Sequence, residues 1–543
     1  MLPKKETLTI EFKSDKKKYP DSEIFDAVVA FANTEGGDLY LGIEDSGEVT
    51  GVHSMHENPI TLSAYIANNT IPPVSIRAEI IYDKLPVLKI SVPKSLNGIV
   101  STINGKVSHR RIKADGTPEN IPMYPYEFAT RMSDLRMLDY SAMPIKQSSI
   151  DDFDPIEIER LKNIIFNYNG DKSLLELQDE DIFKALGLVR EQDNKLIPTV
   201  TGLLLIGKVS AIKQHIPTHS TSFQVLVGTD VKVNKDISSP LLSTISEISN
   251  YLDAWNPERE LELGLFRVPI PDFDKRAIRE AIVNAFSHRD YSKMGRVRIA
   301  ITDEGITIAN PGGFVEGVSI KNLLTAEPHG RNPQLADALK RIGLAERTGR
   351  GIDRIYEGSL IYGNTLPDYK NSTSVTVSLF IPKSRPDIQL TKLIFDEQKK
   401  LGHNLSLNSL IILNTLRDFP KSTIKEVEVE TNISEVAIVN ILDEFVERGI
   451  IEESGRGKSK GYILSPKVYK VRAKKAKGNS SNEEFEDMIV DLARRKDGIS
   501  RSDVVDLLGV GGDKAYNLLK KLVKDERLRV EKNGRYTRYF YLG

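Results

Sequence analysis

The stretch "REAIVNAFSHRDY", Arg279 to Tyr291, decides how the central part of the chain folds. Glu280, Asn284 and His288 are spaced four residues apart, which predicts a polar stripe along one face of a helix. Apolar residues occupy the adjoining face, namely Ile278, Ala281, Ile282, Ala285 and Phe286. A carboxylate and an amide one helical turn apart can serve one small volume as base and metal ligand. The stripe alone is equally compatible with the solvated face of an ordinary amphipathic helix.

The sequence downstream favours a functional stripe. The run "VRIAITDEGITIA" alternates apolar residues around Asp303 to Gly305, which predicts a β-hairpin. The glycine-rich stretches "ANPGGF", from Ala309, and "ERTGRGIDRI", from Glu346, then follow. Glycines allow a backbone to approach phosphates closely and to adopt unusual φ values. The sequence thus runs in the order helix, hairpin, glycine turn, loop, glycine turn, helix.

This order resembles the GHKL ATPases, specifically a divergent branch often found behind a Schlafen AlbA-like domain. The resemblance implies ATP with Mg²⁺, Glu280 as the general base that orients water, and Asn284 as a magnesium ligand. It also implies that certain glycines lie against the nucleotide, namely Gly312, Gly313, Gly349 and Gly351. Phosphoryl transfer needs these same elements: a hard cation, a positioned water and dipoles facing the phosphate oxygens.

The family's adenine-binding aspartate is replaced by Asn310, which both donates and accepts hydrogen bonds. ATP remains the favoured nucleotide. Arg331, Arg347 and Arg350 lie in the glycine-rich region, where they would meet phosphates or serve as solvated loop residues.

The N-terminal stretches "ETLTIEFKSDKK" and "FANTEGGDLYLGIEDSGEVTGV" closely resemble the Schlafen AlbA-like domain. In nuclease members two glutamates five residues apart and a later acidic residue bind metal and cut RNA. The resemblance assigns these roles to Glu6, Glu11 and Asp45, with Glu44 a competitor for the third and Mg²⁺ or Mn²⁺ as the metal. Lys13 would stabilise charge on the phosphate.

The N-terminal assignment leaves alternatives open. Glu6 and Glu11 would face opposite sides of a strand, so their convergence requires Glu6 to lie in a preceding turn or bulge. The domain could instead only bind nucleic acid or protein, with Glu11 and Lys13 as a structural ion pair. Arg110 and Arg111 are candidates for phosphate contacts on a strand.

The C-terminal part contains two units that each read as three helices followed by a hairpin, the winged variant of the helix-turn-helix. The presumed recognition helix of the first unit is acidic and is expected to pack against protein. The second unit carries a basic footprint suited to DNA, formed by Lys514, Lys520, Lys521, Lys524, Arg535 and Arg538.

The chain has 543 residues, a net charge of −1 and no cysteine, which excludes disulfides and thiolate chemistry. We expect a multidomain α+β protein: a Schlafen AlbA-like domain at 1–135, a GHKL (Bergerat) α/β sandwich with a connecting helical segment at 155–385, and winged units at 400–470 and 480–543. A signal peptide and membrane-spanning runs are lacking, so a cytoplasmic protein is expected. A homo-oligomer is implied by the GHKL resemblance.

These features lead to two functional hypotheses. In the first, the nucleotide state of the GHKL domain controls a metal-dependent nuclease, which the Schlafen resemblance connects with defence or stress. In the second, the protein is an ATP-responsive transcriptional regulator that cuts nothing and reads DNA through its winged units.

Overall fold

The computed structural model describes the chain with short gaps. The residues outside the description are 1, 136, 169, 264–265, 321, 327–329, 346–349, 384–385, 420, 455–459, 470–481, 496–497, 509–510, 534–535 and 543. Two compact units are formed. The first is Met1–Trp255, Ile278–Ile352 and Asp368–Ile381, and the second is Asn256–Ala277, Asp353–Pro367 and Pro382–Gly543.

The first unit opens with a mixed sheet. The elements are β1 (Ile10–Lys13), α1 (Asp21–Ala32), β2 (Gly37–Leu41), α2 (Pro59–Asn68), β3 (Thr70–Ile71), β4 (Arg77–Tyr82), β5 (Pro86–Val92), β6 (Ser101–Thr102), β7 (Ser108–Ile112), β8 (Pro118–Pro122) and α3 (Pro125–Asp134). Four strands pair in the order β1-β2-β5-β4, and β7 pairs with β8. The turn between α1 and β2 requires glycine, because Gly36 has φ +70° and a Cβ there would lie 2.7 Å from the Val92 carbonyl oxygen.

The central part adds helices and a second sheet. The elements are α4 (Pro155–Asn167), α5 (Asp179–Ala185), β9 (Val189–Gln192), β10 (Lys195–Pro198), α6 (Val200–Ile206), α7 (Val209–His215), β11 (Thr221–Val227), β12 (Asp230–Ile237), α8 (Leu241–Trp255), β13 (Glu258–Leu263), β14 (Phe266–Pro271), α9 (Lys275–His288), β15 (Val297–Ile301), β16 (Gly305–Pro311), α10 (Pro333–Arg341), α11 (Gly351–Leu360) and β17 (Thr376–Pro382). Five strands pair in the order β12-β11-β15-β16-β17, with β11 parallel to β15. The hairpin predicted around Asp303 to Gly305 is confirmed, since Ile301 pairs with Ile306.

The helix predicted from the opening stretch is present as α9. Its apolar residues are buried, with Phe286 and Val283 at 0% exposure. The helix ends at His288 and does not continue to Asp290. The backbone N–H of Asp290 donates instead to the Pro311 carbonyl oxygen at 2.8 Å, which takes the chain out of the helical hydrogen-bond ladder.

The second unit carries the C-terminal elements. They are α12 (Ile388–Leu401), α13 (Leu407–Asp418), α14 (Ile424–Thr431), α15 (Glu435–Glu447), β18 (Ile451–Ser454), β19 (Gly461–Leu464), α16 (Asn482–Arg495), α17 (Arg501–Leu508), α18 (Gly512–Lys524), β20 (Leu528–Asn533) and β21 (Tyr536–Tyr541). The predicted order of three helices and an antiparallel hairpin occurs twice, and each hairpin is two-stranded. The helices from α12 to α15 share one apolar core, and those from α16 to α18 form another.

The protein is therefore a multidomain assembly of helices and mixed sheets, as expected. In the described part of the chain, no helix is long and apolar enough to cross a membrane.

Candidate functional site

The polar stripe of α9 lies at the border of the protein core. Glu280 is only 6% exposed, whereas Asn284 and His288 are half-buried. Burial makes an ionised carboxylate costly unless other groups compensate for its charge. Glu280 is thus more buried than a glutamate on the solvated face of an ordinary amphipathic helix would be.

Two glycine-bearing segments cover this stripe. An ideal Cβ at Gly351 would overlap Oε1 of Glu280 and lie 3.0 Å from its Cδ and 3.3 Å from Nδ2 of Asn284. Gly330 lies over the end of the stripe, where a Cβ would be 3.3 Å from Cε1 of His288. Gly351 is also the first residue of α11, and helix N-termini attract anions through their free N–H groups. Glu280 and Asn284 of the stripe, the predicted nucleotide-binding Gly351 and the N-terminus of α11 thus lie close together.

The other predicted glycines lie against a different set of groups. Gly312 has φ +98°, and a Cβ there would come within 2.9 Å of Cβ of Asp290 and 3.3 Å of Nε of Arg331. A Cβ at Gly313 would lie 2.5 Å from the Ser374 carbonyl oxygen. Both glycines are therefore required by close contacts within the protein, Gly312 beside Asp290, which follows α9, and Gly313 beside the backbone of Ser374.

The arginines of the region occupy contrasting environments. Arg331 is 2% exposed, forms an ion pair with Asp134, and lies 3.8 Å from Asp290. A phosphate would have to displace these carboxylates in order to bind Arg331. Arg331 therefore contacts carboxylates of the protein where the sequence predicted a phosphate contact. Arg350 is exposed immediately before α11. The predicted Gly349 and Arg347 lie outside the described residues.

The environment around Arg331 shifts the pKa values of the carboxyl groups of Asp134 and Asp290. Burial raises the pKa of Asp134, and the attraction of Arg331 offsets this only in part. Burial also acts on Asp290, but Arg331 and a hydrogen bond from Ser292 outweigh it and lower the pKa.

Asn310 is 4% exposed, and its amide donates to the Pro311 carbonyl oxygen at 3.3 Å.

The N-terminal glutamates do come together. Glu6 precedes a turn in which the Thr7 N–H donates to the Ile10 carbonyl oxygen at 3.0 Å. Nζ of Lys13 lies 2.9 Å from Oε1 of Glu11 and 4.0 Å from Oε1 of Glu6. The turn supplies the reversal that convergence of the two glutamates required.

The position of Arg110 beside Glu11 differs from what the sequence predicted. This arginine was a candidate for phosphate contacts, but it is 3% exposed and donates to Oε2 of Glu11 at 2.6 Å. It also donates to the carbonyl oxygens of Thr7 and Ile10 and lies 4.8 Å from the centre of the Phe31 ring. This burial leaves Arg110 without the exposed surface that phosphate contact requires.

Other predicted residues of the N-terminal site are more open. Asp45 is exposed, and Arg111 pairs with Glu119 at 2.7 Å on the surface. Hydrogen bonds from Ser14 and Thr50 lower the pKa of Glu44. Among the described residues, no group of three or more His, Asp or Glu side chains could hold a metal ion. The three expected metal ligands therefore do not form such a cluster.

A histidine between two carboxylates was missed from the sequence. His56 is 2% exposed, with Nδ1 2.9 Å from Oδ2 of Asp15 and Nε2 3.1 Å from Oδ1 of Asp21. The hydrogen bond with Asp15 raises the pKa of His56, because the imidazolium ion is the form that donates to both carboxylates. No local pattern links His56 to Asp15, which is 41 residues away in sequence.

The basic residues of α18 are accessible. Lys514, Lys520, Lys521 and Lys524 are all exposed, as is Arg538 on β21. Lys521 pairs with Glu486 at 2.7 Å, and Nζ of Lys514 lies 4.8 Å from the centre of the Phe485 ring. The predicted Arg535 lies outside the described residues.

Comparison with known families identifies the class of two segments. A family described as "Schlafen, AlbA_2" matches residues 6–118. A family described as "Putative ATP-dependent DNA helicase recG C-terminal", of the HATPase type, matches residues 295–379, and "Domain of unknown function (DUF8451)" matches residues 130–222. The protein thus has an N-terminal Schlafen AlbA_2 domain and a central HATPase-like domain. At this coarse level it is a nucleic-acid-associated protein with an ATPase-type domain.

Solved structures extend the comparison. The DIP2311 protein from Corynebacterium diphtheriae matches with 18% identity and a TM-score of 0.53, over 98% of this chain and 95% of that chain, which is a likeness of fold. The mRNA-binding domain of elongation factor SelB from E. coli, in complex with SECIS RNA, matches 26% of this chain and 100% of its own, with 20% identity and a TM-score of 0.10. No curated protein matches the chain.

Proposed function

We propose that the protein is an ATP-responsive nucleic-acid-binding protein whose nucleotide site is the polar stripe of α9 beneath the start of α11. The observation that carries this proposal is the contact of Gly351 with Glu280 and Asn284. The HATPase-like match begins at residue 295, after the stripe, so the roles of Glu280 and Asn284 depend on geometry and on their spacing.

The residues present suit magnesium and a triphosphate. Asn284 offers an amide oxygen of the kind that Mg²⁺ accepts beside water and phosphate oxygens. Glu280 would orient and deprotonate a water molecule, since its carboxylate is held within reach of the same space. The first N–H groups of α11 would stabilise negative charge on the phosphates. A Cβ at Gly351 would occupy part of this space.

Two substitutions test the nucleotide site. We expect Glu280→Gln to bind a fluorescent ATP analogue normally and to lose hydrolysis by roughly 10²–10⁴-fold, the usual contribution of a general base. Asn284→Ala should lose the part of binding that depends on Mg²⁺. Glu304→Gln removes a carboxylate from the exposed hairpin turn and serves as the control. Unchanged hydrolysis in Glu280→Gln would refute the assigned base.

The exposed lysines of α18 support the nucleic-acid part of the proposal. We expect reversal of charge at Lys520 and Lys524 to weaken binding of duplex DNA and to reduce the dependence of affinity on salt. The control is Lys399→Glu with Lys425→Glu, which reverses two exposed charges elsewhere in the second unit. Equal affinity of the wild type for random and selected duplexes would argue against a sequence-reading regulator.

The nuclease hypothesis is a second candidate, favoured by the approach of Glu6 and Glu11 to Lys13. Arg110 and Lys13 both neutralise Glu11, an arrangement that favours a supporting role for the carboxylate. We therefore expect tRNA, single-stranded RNA and DNA to stay intact with the protein, ATP and Mg²⁺ or Mn²⁺. Cleavage that Glu11→Ala abolishes would establish the nuclease instead.

A further inference from the structure

The loop after the glycine turn is held by α3 and by the Schlafen AlbA_2 domain. Glu316, three residues beyond Gly313, accepts a hydrogen bond from Nη1 of Arg131 at 2.8 Å and lies 3.1 Å from Nζ of Lys94. The three side chains are 19%, 10% and 22% exposed, respectively. Solvent screens charges in such a partly buried cluster less than charges on the open surface. Arg131 of α3 and Lys94 of the Schlafen AlbA_2 domain therefore hold one carboxylate of the HATPase-like domain.

Helix α3 makes a second set of contacts beside the same turn. Asp134, at its last position, forms an ion pair with Arg331, and Nη2 of Arg331 donates to the Gly313 carbonyl oxygen at 3.2 Å. Thr130 donates to Oδ2 of Asp290 at 3.0 Å, and Asp290 is the residue packed against Gly312. The turn is thus connected to α3 through two separate side chains.

A third contact leads from this interface into the N-terminal domain. Lys94 also pairs with Glu35 at 3.1 Å. The neighbouring Thr34 accepts a hydrogen bond from the Arg110 N–H at 2.8 Å, and Arg110 holds Glu11. Polar contacts together with the covalent backbone at Thr34–Glu35 and at Arg110 therefore connect the glycine turn with Glu11.

Gly330, which adjoins Arg331 in the chain, lies against His288 at the end of the α9 stripe. We propose that Glu316 and Arg331 are positioning residues through which nucleotide bound at the α9 stripe alters the Schlafen AlbA_2 domain, by way of the glycine turn, α3 and Lys94. This inference rests on the proposed nucleotide site and specifies its regulation. Any shift of the turn strains these contacts, because one partner belongs to the turn region and the other to α3 or to the Schlafen AlbA_2 domain. Coupling of this kind is reciprocal, so a change at α3 must also alter nucleotide affinity.

The test uses the full chain with Glu316→Gln and the exposed Glu304→Gln as its matched control. Hydrogen exchange of the segments 94–100 and 125–134 is measured with and without a non-hydrolysable ATP analogue, beside direct binding of the analogue. We expect nucleotide to change exchange at 125–134 in the wild type and the control. In Glu316→Gln this change should largely disappear, and the affinity for the analogue should shift by about fivefold or more.

A double-mutant cycle separates coupling from general damage. Arg131→Met should reproduce the loss, and adding it to Glu316→Gln should change little further, because the two side chains share one contact. If Glu316→Gln binds nucleotide and shows the same nucleotide-dependent change in hydrogen exchange as the wild type, this inference is wrong. The proposed nucleotide site is unaffected by that result. A wild type that binds no nucleotide overturns both.

Discussion

Replacing Gly351 with alanine is the sharpest perturbation of the proposed nucleotide site. The new Cβ would overlap Oε1 of Glu280 and approach Nδ2 of Asn284 to 3.3 Å. The overlapped atom is the far end of a flexible side chain, so the glutamate can rotate away while the backbone stays in place. The substitution therefore moves the proposed base and leaves its chemistry intact.

The expected effect on stability is small and the expected effect on turnover is large. Alanine in a helix is favoured over glycine by about 0.5–1 kcal/mol. Forcing Glu280 off a preferred rotamer costs about 0.5–1.5 kcal/mol. Because the two contributions oppose each other, the free energy of unfolding should change by no more than about 1 kcal/mol, which corresponds to roughly 2–4 °C in Tm. Hydrolysis should fall by roughly 10²-fold or more, since a base displaced by about 1 Å loses its alignment.

The assay compares steady-state ATP hydrolysis with the midpoint of thermal unfolding in the same preparations. Gly98→Ala is the control, because an ideal Cβ at Gly98 would meet no described atom within 4 Å. A Gly351→Ala protein with normal Tm and undiminished hydrolysis would show that Glu280 does not act where α11 begins. A large loss of stability would show instead that the region cannot relax, contrary to the reasoning above.

Two further predictions concern the N-terminal domain. The hydrogen bond that His56 donates to Asp15 raises the pKa of His56 above 6.5, so the stabilisation is complete below pH 6.5 and is lost as pH rises through the raised value. The protection of this domain against hydrogen exchange, relative to the intrinsic exchange rate at each pH, should fall over that range, and His56→Gln should remove this fall; a wild-type protection that does not change with pH would contradict the prediction. Arg110→Met should destabilise the domain by about 3 kcal/mol in chemical denaturation, because it leaves Glu11 buried with one cation fewer. Arg111→Met, which breaks only a surface pair, should destabilise the domain far less than Arg110→Met, and equal losses would refute the distinction.

The parts that were predictable from sequence are those fixed by local patterns. The spacing of polar and apolar residues predicted α9, and the turn around Asp303 to Gly305 predicted the β15–β16 hairpin. The pairing of Gly351 with the stripe followed from the order of motifs and the resemblance to a known family. The turn before Glu11 was required by strand geometry and is present.

The contacts that escaped prediction join residues far apart in the chain. Arg110 lies 99 residues from Glu11 and looked like one of several surface cations in a basic strand. Its burial depends on the packing of β7 against α1, which no periodicity encodes. The same holds for Arg331, whose partner Asp134 belongs to a different predicted domain. Residue type alone cannot distinguish a phosphate ligand from a buried structural cation.

The ion pairs beside the glycine turn also bear on why two recognisable domains form one compact unit. A buried ion pair is a weak source of stability, because the cost of removing charges from water offsets much of their attraction. Apolar residues of similar size would hold α3 against the turn at least as strongly. Charged partners instead fix orientation, since Arg331 must meet Asp134 and the Gly313 carbonyl oxygen together. An interface built from such contacts favours one alignment and weakens when that alignment changes, which is the behaviour that nucleotide-dependent coupling requires.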